Sequence, residues 1–455
     1  MRREPDATVS SFGHLWSKAP DALVLVARSF GWMLAGKALA AVCSLIYLAI
    51  ITRSLGVSGF GRFALITGSA QLLANLLAFQ TWQIIVQYGV GHLESDDTVR
   101  LARLYRAAVV LDVVSAVTGI AAAALILHFF AGQLGMTETL ARATLVFNVI
   151  MLLSLRSTPH GILRLHNRFS LAAAAESASQ VLRLIGALVM WYVHPKLQGF
   201  LIAWAVAELL TAVAHWYAAY RTGDLRPMFR QGRGLGQVVA DNPGIVRYSL
   251  DTNFSQTLSV TAKQLPLFLV GGLTGAAAAG AFRLAAQLAR SLHMLSQMIA
   301  RAAFPEIVRA MRSAGVAALG TMIGRTVWVA FAVSAVAFVI VVVIGRDVLT
   351  LVGGAEFAQG YRSLLWLAGA ACIELVVVTF EPSIMAAQRA YFAFYARLAA
   401  TAVMVGGSFL LVPALGAEGV AAAVLLNSLT QALLLGAVLT LLVRQAGNKA
   451  VASEV

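Results

Sequence analysis

The chain is dominated by stretches of about 20 mostly apolar residues, each long enough to cross the hydrocarbon of a bilayer. Twelve can be marked, at roughly 31–52, 63–87, 107–130, 143–163, 169–194, 199–220, 248–272, 276–300, 323–345, 361–387, 392–413 and 418–442. Backbone N–H and C=O groups cannot stay unpaired in lipid, so each stretch reads as a helix. Composition agrees: 60% of the 455 residues are hydrophobic and only 12% are charged, against about 25% charged in soluble proteins. That deficit excludes a nucleic-acid factor, a disordered chain and an ordinary cytosolic enzyme. No single soluble core could hide so much apolar surface. The expected fold is an all-α polytopic membrane protein of about twelve spans.

Charge supplies the orientation. With a cytoplasmic N-terminus, the outer loops hold only Arg53, Arg62, Arg142, Lys196, Arg346 and Arg362. The inner segments hold most of the rest, including Arg100, Arg103, Arg106, Arg164, Arg168 and Arg389. A missing helix would invert every later loop and spoil this positive-inside bias. The longest connection carries Arg221, Arg226, Arg230, Arg233 and Arg247. The expected organisation is a cytoplasmic tail (1–30), an N-terminal six-helix lobe (31–220), a basic cytoplasmic linker (221–247), a C-terminal six-helix lobe (248–442) and a second cytoplasmic tail (443–455). Residues 1–27 lack the unbroken apolar run of a secretory signal. Cys43 and Cys372 both lie in apolar runs, so neither a disulfide nor a metal site is expected from them.

The two halves echo each other. Gly56-x4-Gly61-x-Phe63-x-Leu65 joins spans one and two, and Gly275-x4-Gly280-x-Phe282-x-Leu284 joins spans seven and eight, 219 residues later. Gly199 and Ala203 open span six as Gly419 and Ala423 open span twelve; Pro159 and Arg168 close span four as Pro382 and Arg389 close span ten. Six spans per half make both halves start on the same side. The repeat is therefore parallel, with its pseudo-twofold axis along the membrane normal and a substrate site expected between the lobes.

Charged residues inside spans are costly, about 2.5–3.5 kcal/mol each at the bilayer centre, so they face protein or water. In span eight, Arg283, Gln287, Arg290, Met294, Gln297 and Arg301 recur at steps of four and three and share one face. In span seven, Asp251, Ser255, Ser259 and Lys263 fall four apart, with Thr252 and Gln256 beside them and a kink expected at Pro266. Lys37, Lys263 and Arg290 form the expected cationic lining, joined by Arg283, Gln287 and Gln297 and more weakly by Arg156 and Arg183. A guanidinium can bind phosphate or carboxylate through two parallel hydrogen bonds. Two alternatives stay open. Arg283 and Arg301 can snorkel from the helix ends, and Glu176 can neutralise Arg183, seven residues away on the same face. Asp112, Asp251, Glu374 and Glu381 are candidates for coupling transport to a proton or cation, or they pair with the intramembrane arginines, as Glu208 can. His128, His215 and His293 are isolated in sequence and read as packing residues rather than metal ligands. No Walker A loop, dinucleotide fingerprint or nucleophile elbow occurs, so no cofactor and no enzymatic activity are expected.

The segment Arg53-Ser-Leu-Gly-Val-Ser-Gly-Phe-Gly-Arg-Phe63, its echo around Gly275–Phe282, and Leu415-Gly-Ala-Glu-Gly-Val-Ala421 resemble the loop signature of bacterial polysaccharide-biosynthesis flippases. These belong to the multidrug/oligosaccharidyl-lipid/polysaccharide exporter superfamily, and the resemblance covers about residues 30–440. It implies two six-helix lobes, alternating access and a cationic lumen in the bacterial inner membrane. It also implies transfer of an undecaprenyl-pyrophosphate-type lipid-linked oligosaccharide to the periplasmic leaflet, for O-antigen, capsule or exopolysaccharide assembly. The implied partners are that substrate, membrane lipids and the polymerase and glycosyltransferases of the same pathway, with no nucleic acid. The main rival is an ion-coupled multidrug exporter of the same superfamily, for which an acidic cavity would be expected. A peptidoglycan-precursor flippase would carry two further helices. A membrane glycosyltransferase would need larger outer loops.

Overall fold

A computed structural model of the protein describes residues 19–77, 79–131, 137–230, 234–290, 319–386 and 389–453; side chains are described from 42 to 290 and from 327 to 442, with short breaks. Every regular element among these residues is helical. Nine helical segments there are long and apolar enough to cross a membrane, and the first of them, Val42–Glu94, contains both of the first two spans. The long helix α1 (Ala19–Leu77) is broken at Gly56 and continues into α2 (Thr81–Glu94). There follow α3 (Thr98–Phe130), α4 (Glu138–Leu153), α5 (Ser157–Leu165), α6 (Phe169–Val193) and α7 (Leu197–Arg221). The C-terminal half comprises α8 (Arg226–Arg230), α9 (Val238–Asp241), α10 (Ile245–Thr274), α11 (276–290) and α12 (Leu319–Gly353). It ends with α13 (Tyr361–Val376), α14 (Phe380–Ala386), α15 (Ala390–Leu415) and α16 (Ala417–Ser453).

The repeat is visible in the backbone. Gly56 (φ 65°, ψ 178°) and Gly275 (φ 90°, ψ 175°) adopt one conformation, a region open essentially to glycine alone, and both reverse the chain between paired spans. Pro159 is the third residue of α5 and Pro382 the third of α14, each just past a break in its span. Gly199 and Gly419 are the third residues of α7 and α16. The helices thus form two lobes that repeat one pattern.

The glycines meet across the pseudo-twofold. A Cβ on Gly61 would lie 1.7 Å from the carbonyl oxygen of Ala276, and one on Gly280 would lie 2.1 Å from that of Val57. Lipid is as apolar as leucine, so close backbone approach and packing, rather than water exclusion, hold such helices together. Around this crossing one apolar cluster joins both lobes, with Phe60, Phe63 and Trp204 packed against Phe282, Leu284 and Phe357. The turn after α12 clamps the same end. Thr52 Oγ1 donates to Val352 O at 3.0 Å, Arg53 Nη2 donates to Leu351 O at 2.5 Å, and Glu356 Oε2 accepts from Val57 N–H at 3.2 Å. Glu356 so serves the first free N–H after the break at Gly56. Glu356→Ala is expected to lower stability by about 1 kcal/mol, the usual cost of a lost cap, read as a lower thermal midpoint in detergent.

Helix α10 lies along span two for its whole length. Gly271 packs on Leu65, Gln264 Nε2 donates to Gln71 Oε1 at 3.0 Å, Thr257 Oγ1 donates to Leu76 O at 3.3 Å, and Tyr88 and Tyr248 meet edge to face at 5.8 Å. The helix runs through Pro266 without a break. At the opposite end from the glycine crossing, the described part of the basic linker docks on the N-terminal lobe. Arg103 Nε lies 3.1 Å from Asp241, Arg106 Nε donates to Met228 O at 3.0 Å, and His92 meets Asn242 at 2.8 Å. There the Arg100 N–H holds the Asp97 carboxyl below its usual range.

Candidate functional site

Three spans expected to be continuous are interrupted. Span two breaks before Thr81, span four between Leu153 and Ser157, and span ten between Val376 and Phe380. A break frees backbone polar groups, which at membrane depth need internal partners. Asp112 supplies them in the N-terminal lobe. Its carboxylate accepts from Thr158 N–H at 3.1 Å, Thr158 Oγ1 at 2.7 Å and Thr81 Oγ1 at 2.7 Å, which caps α5 and ties it to α2 and α3. The Trp216 indole N–H donates to Leu155 O at 2.8 Å within the second break. Asp112 is therefore a buried knot joining three helices.

A cavity of about 550 Å³ opens against the first two of these breaks, in the N-terminal lobe. Gln71, Trp82, Arg156, His160, Arg164 and Glu176 contribute to its wall. Glu208, almost wholly buried, holds two arginines at once. Arg156 Nη1 lies 2.9 Å from Oε2, while Arg183 reaches Oε1 through Nε at 3.1 Å and through Nη2. Arg183 also stacks over the Trp204 ring at 4.2 Å, and Arg164 over that of Trp82 at 4.6 Å. The alternative pairing of Glu176 with Arg183 does not form. Glu208 takes Arg183 because it projects from the facing helix α7, whereas Glu176 turns toward His215, 3.9 Å away. Arg156 and Arg183 are thus anchored cations, and of the two only Arg156 reaches the cavity wall.

In the C-terminal lobe, Lys263 is exposed on α10 within electrostatic range of Glu374, Glu381, Arg290 and Arg397. Glu381 accepts from Arg397 Nη2 at 2.7 Å, and Glu374 from Ser428 Oγ at 3.2 Å. Among the described residues, Lys263, Arg283 and Arg290 form no ion pair. Arg283 sits within electrostatic range of Tyr47 and Arg290, behind the apolar cluster that joins the lobes. Gln287 follows one turn along the same helix face and is partly buried. Asp251 is exposed near the N-terminal end of α10, 3.7 Å from Arg247. The side chain of Lys37 and all of Gln297 lie outside the described residues.

Arg397, the single charge in its apolar helix, was not singled out in the sequence; its partner Glu381 comes from a different helix, α14. A second omission is a cluster. His160, Glu176 and His215, from α5, α6 and α7, bring one ligand atom each within 4.8 Å of one another. No spacing rule could find it, since three separate helices contribute.

Residues 26–311 match the family described as "Polysaccharide biosynthesis protein". The inner membrane protein YghQ of Escherichia coli (strain K12) is 25% identical over 345 residues, which cover 75% of this chain and 96% of that protein. An inward-facing multidrug resistance MATE family transporter of the MOP superfamily superposes with a TM-score of 0.66 at 14% identity, covering 86% of this chain and 96% of that one. The lipid II flippase MurJ, in an inward closed conformation, also gives 0.66, at 12% identity, covering 88% and 86%. A MOP superfamily transporter from Pyrococcus furiosus gives 0.58 at 16% identity, covering 90% and 93%. The chain therefore belongs to the polysaccharide biosynthesis protein family, with the helical membrane fold shared by MATE transporters and MurJ.

Proposed function

We propose that this chain is an inner-membrane flippase with both termini in the cytoplasm. It moves a polyprenyl-pyrophosphate-linked oligosaccharide from the cytoplasmic to the periplasmic leaflet by alternating access, for surface-polysaccharide assembly. The supporting observation is that basic groups sit part-way along long helices near the apolar cluster that joins the lobes: Arg283 and Arg290 form no ion pair among the described residues, Lys263 lies within electrostatic range of two acids and two arginines, and Arg156 and Arg164 lie on the cavity wall. A pyrophosphate cannot enter hydrocarbon without replacing its hydration, and guanidinium groups replace it with charge-assisted hydrogen bonds. The polyprenyl tail stays in lipid while the head group passes between the lobes. The seal at Gly61 and Gly280 closes the end to which the charge bias assigns the periplasm. Asp112, Glu374 and Glu381 each hold a partner of their own, which favours structural pairing over ion coupling for these acids.

Depleting the protein should cause the lipid-linked oligosaccharide to accumulate in the inner leaflet. Lys263→Ala and Arg290→Ala should reproduce that accumulation with normal amounts of protein in the membrane. Each removes a charged hydrogen-bond donor contributing about 1.5–3 kcal/mol, so transport at limiting substrate falls about tenfold or more. Normal export by both variants would refute the cationic lining, and depletion without accumulation would refute the flippase reading.

A further inference from the structure

The His160–Glu176–His215 cluster has no part in the transport scheme above. We propose that it binds one divalent transition-metal ion of the zinc class, with an open coordination position toward the cavity.

His215 is completely buried on α7, and its Nδ1 lies 2.9 Å from the carbonyl oxygen of Thr211. That bond places the proton on Nδ1 and leaves Nε2 as a lone-pair donor. A metal-binding histidine is oriented in the same way, its other ring nitrogen donating to a backbone carbonyl. Nε2 is buried without a hydrogen-bond partner and lies 3.9 Å from the Glu176 carboxylate. A buried imidazole nitrogen left bare carries a desolvation cost of about 1–3 kcal/mol, which a bound cation removes. The His160 ring centroid stands 5.5 Å from that of His215, and the edge of Trp82 steadies His160 from the other side at 6.1 Å.

Two imidazoles and one carboxylate match the ligand set of open zinc sites, in which water takes the fourth place. With metal–ligand bonds of about 2.0–2.1 Å, tetrahedral ligand atoms sit about 3.3 Å apart. The three atoms already lie within 4.8 Å of one another, with His215 Nε2 3.9 Å from the Glu176 carboxylate, so closure to that distance needs side-chain shifts of about 1 Å, to which Glu176, 54% exposed, and the partly exposed His160 can contribute. The neighbouring cations are held by other groups. Arg156 is tied to Glu208, which it shares with Arg183, Arg164 is drawn over the Trp82 ring, and the Glu176 carboxylate supplies the anionic ligand that offsets their charge at the site. Imidazole and carboxylate ligands favour Zn²⁺, Cu²⁺, Ni²⁺ and Co²⁺ over Mg²⁺ and Ca²⁺, which prefer all-oxygen shells.

The test uses the full chain in nanodiscs, stripped with chelator and titrated with Co²⁺, whose visible absorption reports four-coordination. One Co²⁺ per chain should bind and be displaced by Zn²⁺. His160→Ala and His215→Ala should each weaken binding about 100-fold or more, at or above the loss seen for mere supporting partners. Glu176→Gln should weaken it less, and the exposed His128→Ala should leave it unchanged. Because His215 is buried, a second measurement guards against misfolding: Zn²⁺ should raise the thermal midpoint of the wild type but not of His160→Ala, which sits at the cavity edge. Wild-type Co²⁺ binding no tighter than that of a His160→Ala/Glu176→Gln variant would overturn the site, as would binding unchanged in His160→Ala. None of these readouts depends on which molecule is transported.

Discussion

Glu208→Ala is expected to destabilise the N-terminal lobe by about 3–5 kcal/mol, the usual cost of leaving a buried charge without its partner. Glu208 is almost fully enclosed and serves Arg156 and Arg183 together with Ser179. Its removal strands Arg183, which is 16% exposed, while Arg156 keeps its contact with the cavity. Glu208→Gln keeps one acceptor oxygen but turns the other into an NH2 donor facing a guanidinium, so it should recover only part of the loss seen for alanine. Arg156→Ala should cost less still, because that side chain is 36% exposed and Arg183 continues to hold the carboxylate. Thermal unfolding in detergent, ranked across the three variants, is the measurement. A midpoint for Glu208→Ala equal to that of the wild type would remove the two-arginine clamp from the account.

The glycine crossing carries the second large effect. Gly61→Ala and Gly280→Ala each drive a methyl group into a backbone carbonyl, at 1.7 and 2.1 Å. Overpacking costs about 1–3 kcal/mol, and a backbone neighbour that cannot rotate away puts both changes at the upper end. The substitutions act on one contact, so their combined cost should fall short of the sum, and a double-mutant cycle reads that shortfall directly. Gly91→Ala is the matched control. Its Cβ would meet nothing within 4 Å on helix α2, so it should stabilise the protein by up to about 1 kcal/mol through helix propensity. If all three variants melted alike, the lobes would not be touching through Gly61 and Gly280.

Much of this architecture can be read in the sequence, because bilayer thickness sets span length and glycine geometry sets the turns. Among the described residues the apolar stretches are helical, and Gly56 and Gly275, matched by spacing alone, share one backbone conformation. Span seven appears as the continuous helix α10. What escaped is three-dimensional. The breaks at Thr81 and Ser157 have no proline or glycine at the break itself; they persist because Asp112 and Trp216 supply partners from other helices. Glu208 was visible as a lone acid, yet its choice of Arg183 over Glu176's claim depends on which helices face each other. His215 looked solitary for the same reason, its neighbours being 55 and 39 residues away in sequence, at His160 and Glu176.

Helix α10 also bears on how the protein is made. Asp251, Asn253, Thr257, Lys263 and Gln264 make it too polar to settle in lipid by itself, since each charge near the bilayer centre costs about 2.5–3.5 kcal/mol on the insertion scale. Its polar contacts run to Gln71 and Leu76 of a helix synthesised nearly two hundred residues earlier. The first lobe is therefore expected to template insertion of the second: ribosomes stalled before span seven should yield a stable half-protein, while the second half made alone should integrate poorly.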